Sequence, residues 1–595
     1  MVGRYTRLKV RHKVRTHQKR VVELGHNANR QLDRHIFRRW HNLRYGARFA
    51  IGWLLLVAIL VGAVVIQIKS LGRYYLAPQP VAGGIYTEGI VGTFSNASPI
   101  YATSDIDTSV SKLVFSSLLT YDQNNRLVGS LAKSWQLDDK GTTYTVKLKD
   151  NLRWHDNQPL MADDIVFTYQ TIQNPDAKSP YLPSYKDVKV TKIDNRTIQF
   201  ILPVAYSPFL HSLTNGIIPQ HILKNVPMAE LRSHLFNNKT PIGSGPFKFS
   251  SVVTSSSQSS VNTATIQLAS YTNYHLGKPK LDGITLRTYK DAEALKTANK
   301  QHKVITAAGL DISDQVVPTG HEAYSFNLMS ANMLFLKTTS TNLGDASVRK
   351  ALLLGTDTKA LVKKLGYPVI LAREPILKTQ TGYNPALQQA SFDKKQAIQL
   401  LNTSGWVISG KQHYRTKNGK ALILRLTYQN NHDFSKIAQE LQRQWADIGV
   451  NLTIEVTPDD QVGQRILDSH DYDVLLYGIN IGADPDVYAY WHSSQINAKS
   501  PIHLNLSEYK SSAADLALES ARSRQDVVLR AAKYKLFLEA WQKDVPAIGL
   551  YQPRYLYVIS HQHIYGLDAK YINTPSDRFN NVQQWMIKTK PTKES

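Results

Sequence analysis

Apolar and polar residues follow two different periods in the C-terminal half of the chain. Residues 421–428 and 450–456 have the apolar content and spacing of strands, whereas residues 433–448 repeat apolar side chains at helical spacing. Strand, helix and strand in this order predict a βαβ unit. Its two strands should be parallel, and its crossover should be right-handed.

The pattern continues with a further strand and a helix. Residues 472–477 predict a buried strand, and residues 484–491 predict a helix. The carboxylates of Asp484 and Asp486 would cap the N-terminus of this helix. The loop 478–484 leaves the carboxyl end of that strand, where open α/β sheets bind ligands. We expect binding chemistry in this loop, with helix capping as the alternative role of the two aspartates.

The longest apolar run lies near the N-terminus. Residues 49–68 are twenty consecutive residues without a charge. At about 1.5 Å per residue, a helix of this length spans a hydrocarbon core of about 30 Å. The run therefore predicts one transmembrane helix. A cleaved signal peptide is the alternative, but the preceding segment is far longer than the charged region of a signal peptide.

Positive charge is concentrated before this helix. Residues 1–48 hold 14 basic and 2 acidic residues, in a chain whose net charge is +25. Because basic flanks stay in the cytoplasm, we expect this arm inside the cell, against anionic lipid head groups, and the rest of the chain outside. Nucleic-acid binding is the alternative role, but no reading module is recognisable. Residues 69–84 predict a short tether after the helix.

Composition and motifs restrict the class of protein. The chain has 595 residues, 42% of them hydrophobic, and no cysteine. Its length predicts two or three lobes, and the lack of cysteine excludes disulfides, thiol catalysis and thiolate metal sites. The sequence has no phosphate-binding loop, nucleophile elbow or His-Glu-x-x-His motif, and its histidines are scattered. We expect a binding protein rather than an enzyme, with no cofactor and no resident metal.

Seven segments occur in the order typical of one protein family. Residues 113–169 contain the stretches LVFSSLLTYD, LAKSWQLDD and LRWHDNQPLMADDIVFTY. The other segments are PIGSGPFKF (241–249), YTNYHLGKPKL (271–281), DASVRKALLLGTD (345–357), QAIQLLNTSGW (396–406), residues 437–450 and DPD (484–486). Together they resemble the family 5 extracellular solute-binding proteins, which are the oligopeptide, dipeptide and nickel receptors of ABC importers.

The resemblance implies an α/β fold of the type II periplasmic-binding-protein kind. In such proteins two α/β lobes close on a ligand held between them, and an extra domain adjoins the first lobe. By this resemblance the first lobe comprises residues 85–125, 238–325 and 545–595, the extra domain 126–237, and the second lobe 326–544. The transmembrane helix precedes these domains.

The resemblance also implies where a ligand is held. The candidates come from segments similar to those that flank the ligand in the family, and from charged positions in the second lobe. They are Thr93, Phe94, Arg373, Glu374, Tyr477, Ile479, Asn480, Asp484 and Asp486.

One position departs from the family in a way that affects the ligand. Typical peptide-binding members have an aspartate four residues before the proline of the late acidic motif, and it pairs with the amino group of the ligand. That position is Ile481 here, and Gly478 stands where an aromatic residue is often found. A buried ammonium without a carboxylate partner is unfavourable. Either another acid, such as Asp484, replaces the missing one, or the ligand is not an ordinary peptide.

The function implied by the resemblance is capture of a solute outside the cell. We expect a monomeric, membrane-anchored protein that binds oligopeptides between its lobes and passes them to the permease and ATPase of an ABC importer. A receptor for a non-peptide solute, such as a metal chelate, haem or a sugar, is one alternative. A membrane-anchored sensor or interaction protein that has lost transport is another.

Overall fold

The computed structural model describes residues 47–256, 262–310, 317–410, 412–458, 461–496, 504–560 and 562–593. The chain forms two compact units, one of residues 80–588 and one that combines residues 1–79 and 589–595. The predicted basic arm lies outside the described residues except for its last two positions.

The smaller unit contains a long apolar helix. Helix Ala47–Tyr75 includes the exposed stretch Phe49–Gln67, which is long and apolar enough to cross a membrane. The helix continues to Tyr75, into the segment predicted as a tether. Leu76–Val81 follows as a strand and forms a two-stranded sheet with Lys588–Lys593.

An eight-stranded mixed sheet forms the first lobe. From edge to edge, its strands are Tyr571–Ile572, Glu322–Leu328, Arg554–Ile559, Thr306–Ala308, Ile85–Val91, Gly283–Tyr289, Asn262–Ser270 and Phe247–Ser256. Helices Asp105–Val114 and Ala292–Lys300 pack against the sheet. Glu88, on strand Ile85–Val91, and Arg578 form a fully buried ion pair of 2.6 Å. This pair binds the segment around Arg578 to that strand.

The extra domain is built on a separate four-stranded antiparallel sheet. Its strands, in order, are Ala132–Leu137, Thr143–Leu148, Thr197–Ile201 and Lys189–Asp194. Helix Ala162–Gln173 packs on this sheet, and Asp164 accepts hydrogen bonds from the backbone N–H groups of Met161 and Gln220, both at 2.9 Å. Short elements complete the domain and its junction: strands Leu119–Tyr121 and Leu127–Gly129, and helices Leu182–Tyr185, Phe209–Ser212 and Gln220–Leu223.

A six-stranded sheet forms the second lobe. Its strands, in order, are Ile370–Leu371, Ala547–Gln552, Ser330–Leu336, Val474–Asn480, Ile423–Gln429 and Asn451–Thr457. Ile423–Gln429 and Asn451–Thr457 are parallel, and helix His432–Ala446 connects them. The predicted βαβ unit is therefore confirmed.

Helices cover both faces of this second sheet. Leu334 belongs to one apolar core and Phe335 to another, because successive side chains of a strand point to opposite faces. The remaining elements of the lobe are helices Ala346–Leu354, Thr358–Lys363, Lys394–Thr403, Tyr488–Trp491, Ser512–Arg522 and Val527–Asp544, the π-helical turn Val462–Asp468, and the short strands Thr416–Lys417 and Lys420–Ala421.

The chain crosses between the lobes at two adjacent places. One crossing joins Leu328 to Ser330, and the other joins Gln552 to Arg554. They are hydrogen-bonded to each other, from the Leu328 N–H to the Pro553 carbonyl at 3.0 Å and from Gln552 Nε2 to the Leu328 carbonyl at 3.1 Å. Strand Ala547–Gln552, which the sequence-based boundaries place in the first lobe, thus lies in the second.

A close backbone approach requires glycine in the segment PIGSGPFKF. A Cβ atom added at Gly243 would lie 1.9 Å from the carbonyl oxygen of Val114, which also accepts a hydrogen bond from the Gly245 N–H. We expect Gly243→Ala to lower the free energy of unfolding by about 2 kcal/mol, because the backbone must move. Urea unfolding of the full-length protein measures the change. Gly463→Ala, with open space around it, is the matched control, and an equal effect of both would contradict the explanation.

Candidate ligand-binding site

Two adjoining cavities lie where the first lobe, the extra domain and the second lobe meet. The smaller, of about 340 Å³, is walled by the first lobe and the extra domain, and the larger, of about 460 Å³, has the second lobe as one wall. Both share Tyr121, Ser184, His211 and Ser212. The larger cavity is lined by these four and by Pro183, Tyr206, Pro208, Ile481, Gly482, Ala483, Asp484, Asp486 and Arg522.

A buried ion pair forms part of the second-lobe wall. The guanidinium of Arg530, on helix Val527–Asp544, binds both carboxylate oxygens of Asp484, with Nη1 at 2.6 Å from Oδ2. Each of these side chains is 9% exposed. His211 Nε2 approaches the same carboxylate from the extra domain at 3.7 Å. Burial nevertheless lowers the pKa of His211, so this imidazole is held in its neutral form.

A second ion pair of the second lobe is in contact with the extra domain. Arg522 Nη2 lies 2.8 Å from Asp486 Oδ2, and the hydroxyl of Tyr206 donates to the same oxygen at 3.0 Å. The Arg522 guanidinium also stacks over the rings of Tyr206 and Tyr488, at 4.9 and 4.0 Å from their centroids. The backbone N–H of Ser207 donates to the Arg522 carbonyl at 2.8 Å. The two sides of the larger cavity are therefore in direct contact.

We expect Tyr206→Phe to loosen this contact. Loss of one hydrogen bond of about 1 kcal/mol should speed exchange of the Ser207 amide hydrogen about five-fold, because that amide is bonded across the cavity. Hydrogen–deuterium exchange of the full-length protein measures it. Tyr324→Phe removes a hydroxyl that donates to the Ala569 carbonyl within the first lobe and should leave the rate at Ser207 unchanged. An unchanged rate in Tyr206→Phe would contradict the role of the hydroxyl.

Two buried donors on the cavity walls have no protein partner. Asn215 Nδ2 in the smaller cavity and Arg522 Nε in the larger one make no hydrogen bond with any described residue. A buried donor without an acceptor is unfavourable. Both atoms are enclosed within the wall and are not accessible from the cavities.

The structure places two of the predicted site residues at this cavity. Asp484 and Asp486 line it, together with Ile481, which is 7% exposed. The predicted helix 484–491 is wrong over its first half, because the helix comprises only Tyr488–Trp491. The capping interpretation of the two aspartates is therefore also wrong, and both carboxylates bind arginines instead.

The other candidates on the strand Val474–Asn480 point elsewhere. Ile479 is buried in the core, and Tyr477 is half-buried at its margin. Asn480 is exposed, its carbonyl accepts from the Tyr490 hydroxyl at 2.7 Å, and its side chain accepts from the Gly482 N–H at 3.1 Å. None of these three lines the two cavities, and their assignment to ligand binding stays a prediction.

The remaining four candidates also lie outside the cavity linings. Thr93 is exposed, and Phe94 packs against the first-lobe core. Arg373 Nη2 donates to the Gln389 carbonyl at 2.9 Å. Glu374 is 1% exposed, and burial raises the pKa of its carboxyl to about 7. Their role in binding likewise stays a prediction.

The sequence did not indicate the partners of the two aspartates. Arg522 and Arg530 are 36 and 46 residues from the aspartates that they bind, and Tyr206 is 280 residues from Asp486. Local spacing carries no signal over such separations. The packing of helices Ser512–Arg522 and Val527–Asp544 against the loop 481–486 is a tertiary feature that local pattern does not show.

Comparisons with known proteins agree with this architecture. A family model described as bacterial extracellular solute-binding proteins, family 5, middle region, matches residues 126–500. The oligopeptide-binding protein AppA of Bacillus subtilis is 27% identical over 525 residues, which cover 86% of this chain and 93% of that protein. The structure of AppA from B. subtilis with a nonapeptide matches with a TM-score of 0.67 at 26% identity, over 86% of this chain and 100% of AppA. NikZ of Campylobacter jejuni, solved with Ni(L-His), matches with a TM-score of 0.70 at 25% identity, over 84% and 99% of the two chains.

Proposed function

The chain belongs to the bacterial extracellular solute-binding proteins of family 5, and from this premise we propose that it captures oligopeptides between its two lobes and delivers them to an ABC permease. The family points to a binding role in ABC transport rather than to an enzymatic one. The similarity to AppA, whose structure holds a nonapeptide, supports a peptide as the ligand.

The observation that carries the proposal is the cavity between the second lobe and the extra domain, which adjoins the first lobe. Its volume of about 460 Å³ lies within the range of about 300–1,000 Å³ usual for ligand pockets. Recognition through main-chain hydrogen bonds would let such a cavity hold peptides of many sequences.

Anchoring to the membrane is part of the same proposal. The stretch Phe49–Gln67 would hold the protein in the cell membrane as a single-pass helix. The basic arm would then face the cytoplasm and contact anionic lipids, and the unit 80–588 would face outward. This topology places the cavity on the side from which an importer takes its solute.

Native mass spectrometry of the full-length protein in detergent, purified without added ligand, tests the proposal. We expect a series of peptide masses released from the protein. Ser212→Trp should abolish them, because Ser212 lines both cavities and the indole would obstruct the region that they share. Ser233→Trp is the matched control, because Ser212 and Ser233 each donate to the carbonyl three residues earlier, yet Ser233 is exposed. An empty protein that also ignores a peptide library would overturn the assignment, and a bound metal chelate, haem or sugar would replace it.

A further inference from the structure

Every carboxylate on the cavity walls is already paired. Three described carboxylates line the two cavities, and each one has a cation within 3.4 Å. The pairs are Asp484–Arg530, Asp486–Arg522 and Asp577–Lys112. Asp577 additionally accepts from the N–H and hydroxyl of Thr574, at 3.1 and 3.2 Å. The charges on the walls therefore cancel pair by pair.

This pairing leaves none of the described carboxylates on the walls without a cation. An ammonium in the larger cavity would have to compete with a guanidinium for Asp484 or Asp486, and the Asp484 pair uses both carboxylate oxygens. In the smaller cavity it would compete with Lys112 for Asp577. His211 offers no negative charge, and the hydroxyl of Tyr206 already donates to Asp486. A desolvated ammonium without a counter-charge is strongly unfavourable.

A peptide without an amino-terminal charge avoids this cost. Acylation of an amino terminus removes the positive charge and adds one carbonyl acceptor. An internal stretch of a longer peptide has the same chemistry, since all its nitrogens are amides.

We propose that the cavities hold peptide that carries no free ammonium, either because the amino terminus is acylated or because it lies outside the cavities. This inference rests on the proposed peptide function and specifies its ligand class. The paired carboxylates disfavour a charged terminus, whereas an acylated or internal segment brings no ammonium into the cavities.

The test measures binding of matched peptides to the full-length protein in lipid nanodiscs by isothermal titration calorimetry. Libraries of tetrapeptides and nonapeptides are used, each with a free or an acetylated amino terminus. We expect acetylated tetrapeptides to bind at least ten-fold more tightly than free ones. A smaller difference for nonapeptides would support the proposal and place their termini outside the cavities. Free tetrapeptides that bind as tightly as acetylated ones would overturn it while leaving the peptide function intact. Failure of all four libraries would overturn both.

A single substitution should reverse the selection. Arg522→Gln releases the carboxylate of Asp486, so free tetrapeptides should gain affinity and the ratio between the two libraries should fall about ten-fold. Misfolding cannot produce a gain in affinity, which keeps the result interpretable. Arg524→Gln removes an exposed arginine two residues away and should leave the ratio unchanged. An unchanged ratio in Arg522→Gln would contradict the role given to the paired carboxylate.

Discussion

Arg530→Met is expected to lower the free energy of unfolding by about 3–5 kcal/mol, because it leaves the buried carboxylate of Asp484 without its counter-charge. Arg530 binds both oxygens of Asp484, and each side chain is 9% exposed. Water in the adjoining cavity can hydrate the carboxylate only from one side. Urea unfolding of the full-length protein, followed by tryptophan fluorescence, measures the loss.

Two further variants separate the ion pair from other effects of the substitution. Asp484→Asn combined with Arg530→Met removes both charges and should recover most of the lost stability. Lys535→Met, on the same helix, breaks an exposed pair with Glu539 at 3.6 Å and should change the stability by less than about 0.5 kcal/mol. A double variant as unstable as Arg530→Met would show that packing of the arginine, not its charge, is responsible.

Glu374→Gln is expected to stabilise the protein at neutral and alkaline pH. Glu374 is 1% exposed, its Oε1 has no hydrogen-bond partner among the described residues, and burial raises the pKa of its carboxyl to about 7. In the unfolded chain the pKa returns to 4.5. The folded protein thus binds the proton more tightly than the unfolded chain does.

The sign of the pH dependence follows from these two pKa values. The contribution of Glu374 to stability is fully present below pH 4.5 and is lost as the pH rises towards 7. Above pH 7 the ionised carboxylate remains a constant cost of about 3 kcal/mol. The difference in unfolding free energy between Glu374→Gln and the unmodified protein should therefore be near zero at pH 4.5 and about 3 kcal/mol at pH 8. Glu230→Gln, at an exposed position, is the control, and the same profile for Glu374→Gln as for this control would contradict the explanation.

Local periodicity was sufficient to predict the βαβ unit of the second lobe and the buried strand that follows it. The apolar repeat of residues 433–448 and the two flanking strands predicted the βαβ unit that the structure contains. These patterns are reliable because each element buries one face or both faces against its neighbours, and the period records which residues are buried.

The assignment of strands to lobes could not be predicted in the same way. Ala547–Gln552 and Arg554–Ile559 are consecutive, apolar strands with almost the same burial, yet they belong to different sheets. Burial is equal on both sides of the crossing at Pro553. Hydrophobic pattern alone therefore does not show where the chain changes lobes.

The candidate site was predicted in part. Asp484 and Asp486 were identified from the segment that contains them, and both line the larger cavity. Their role was not identified, because carboxylates before an apolar run are typical helix caps. Here two arginines from later helices bind those carboxylates in ion pairs. The short helix begins at Tyr488, after both aspartates.

Hydrogen–deuterium exchange of the full-length protein, with and without a peptide library, tests the central claim most directly. If a peptide is held between the lobes, protection should increase together in residues 206–212 of the extra domain and 481–486 of the second lobe, which wall the larger cavity. Ser212→Trp should abolish the change in both segments. Peptide binding with protection confined to one lobe, or with no protection in either segment, would contradict capture between the lobes.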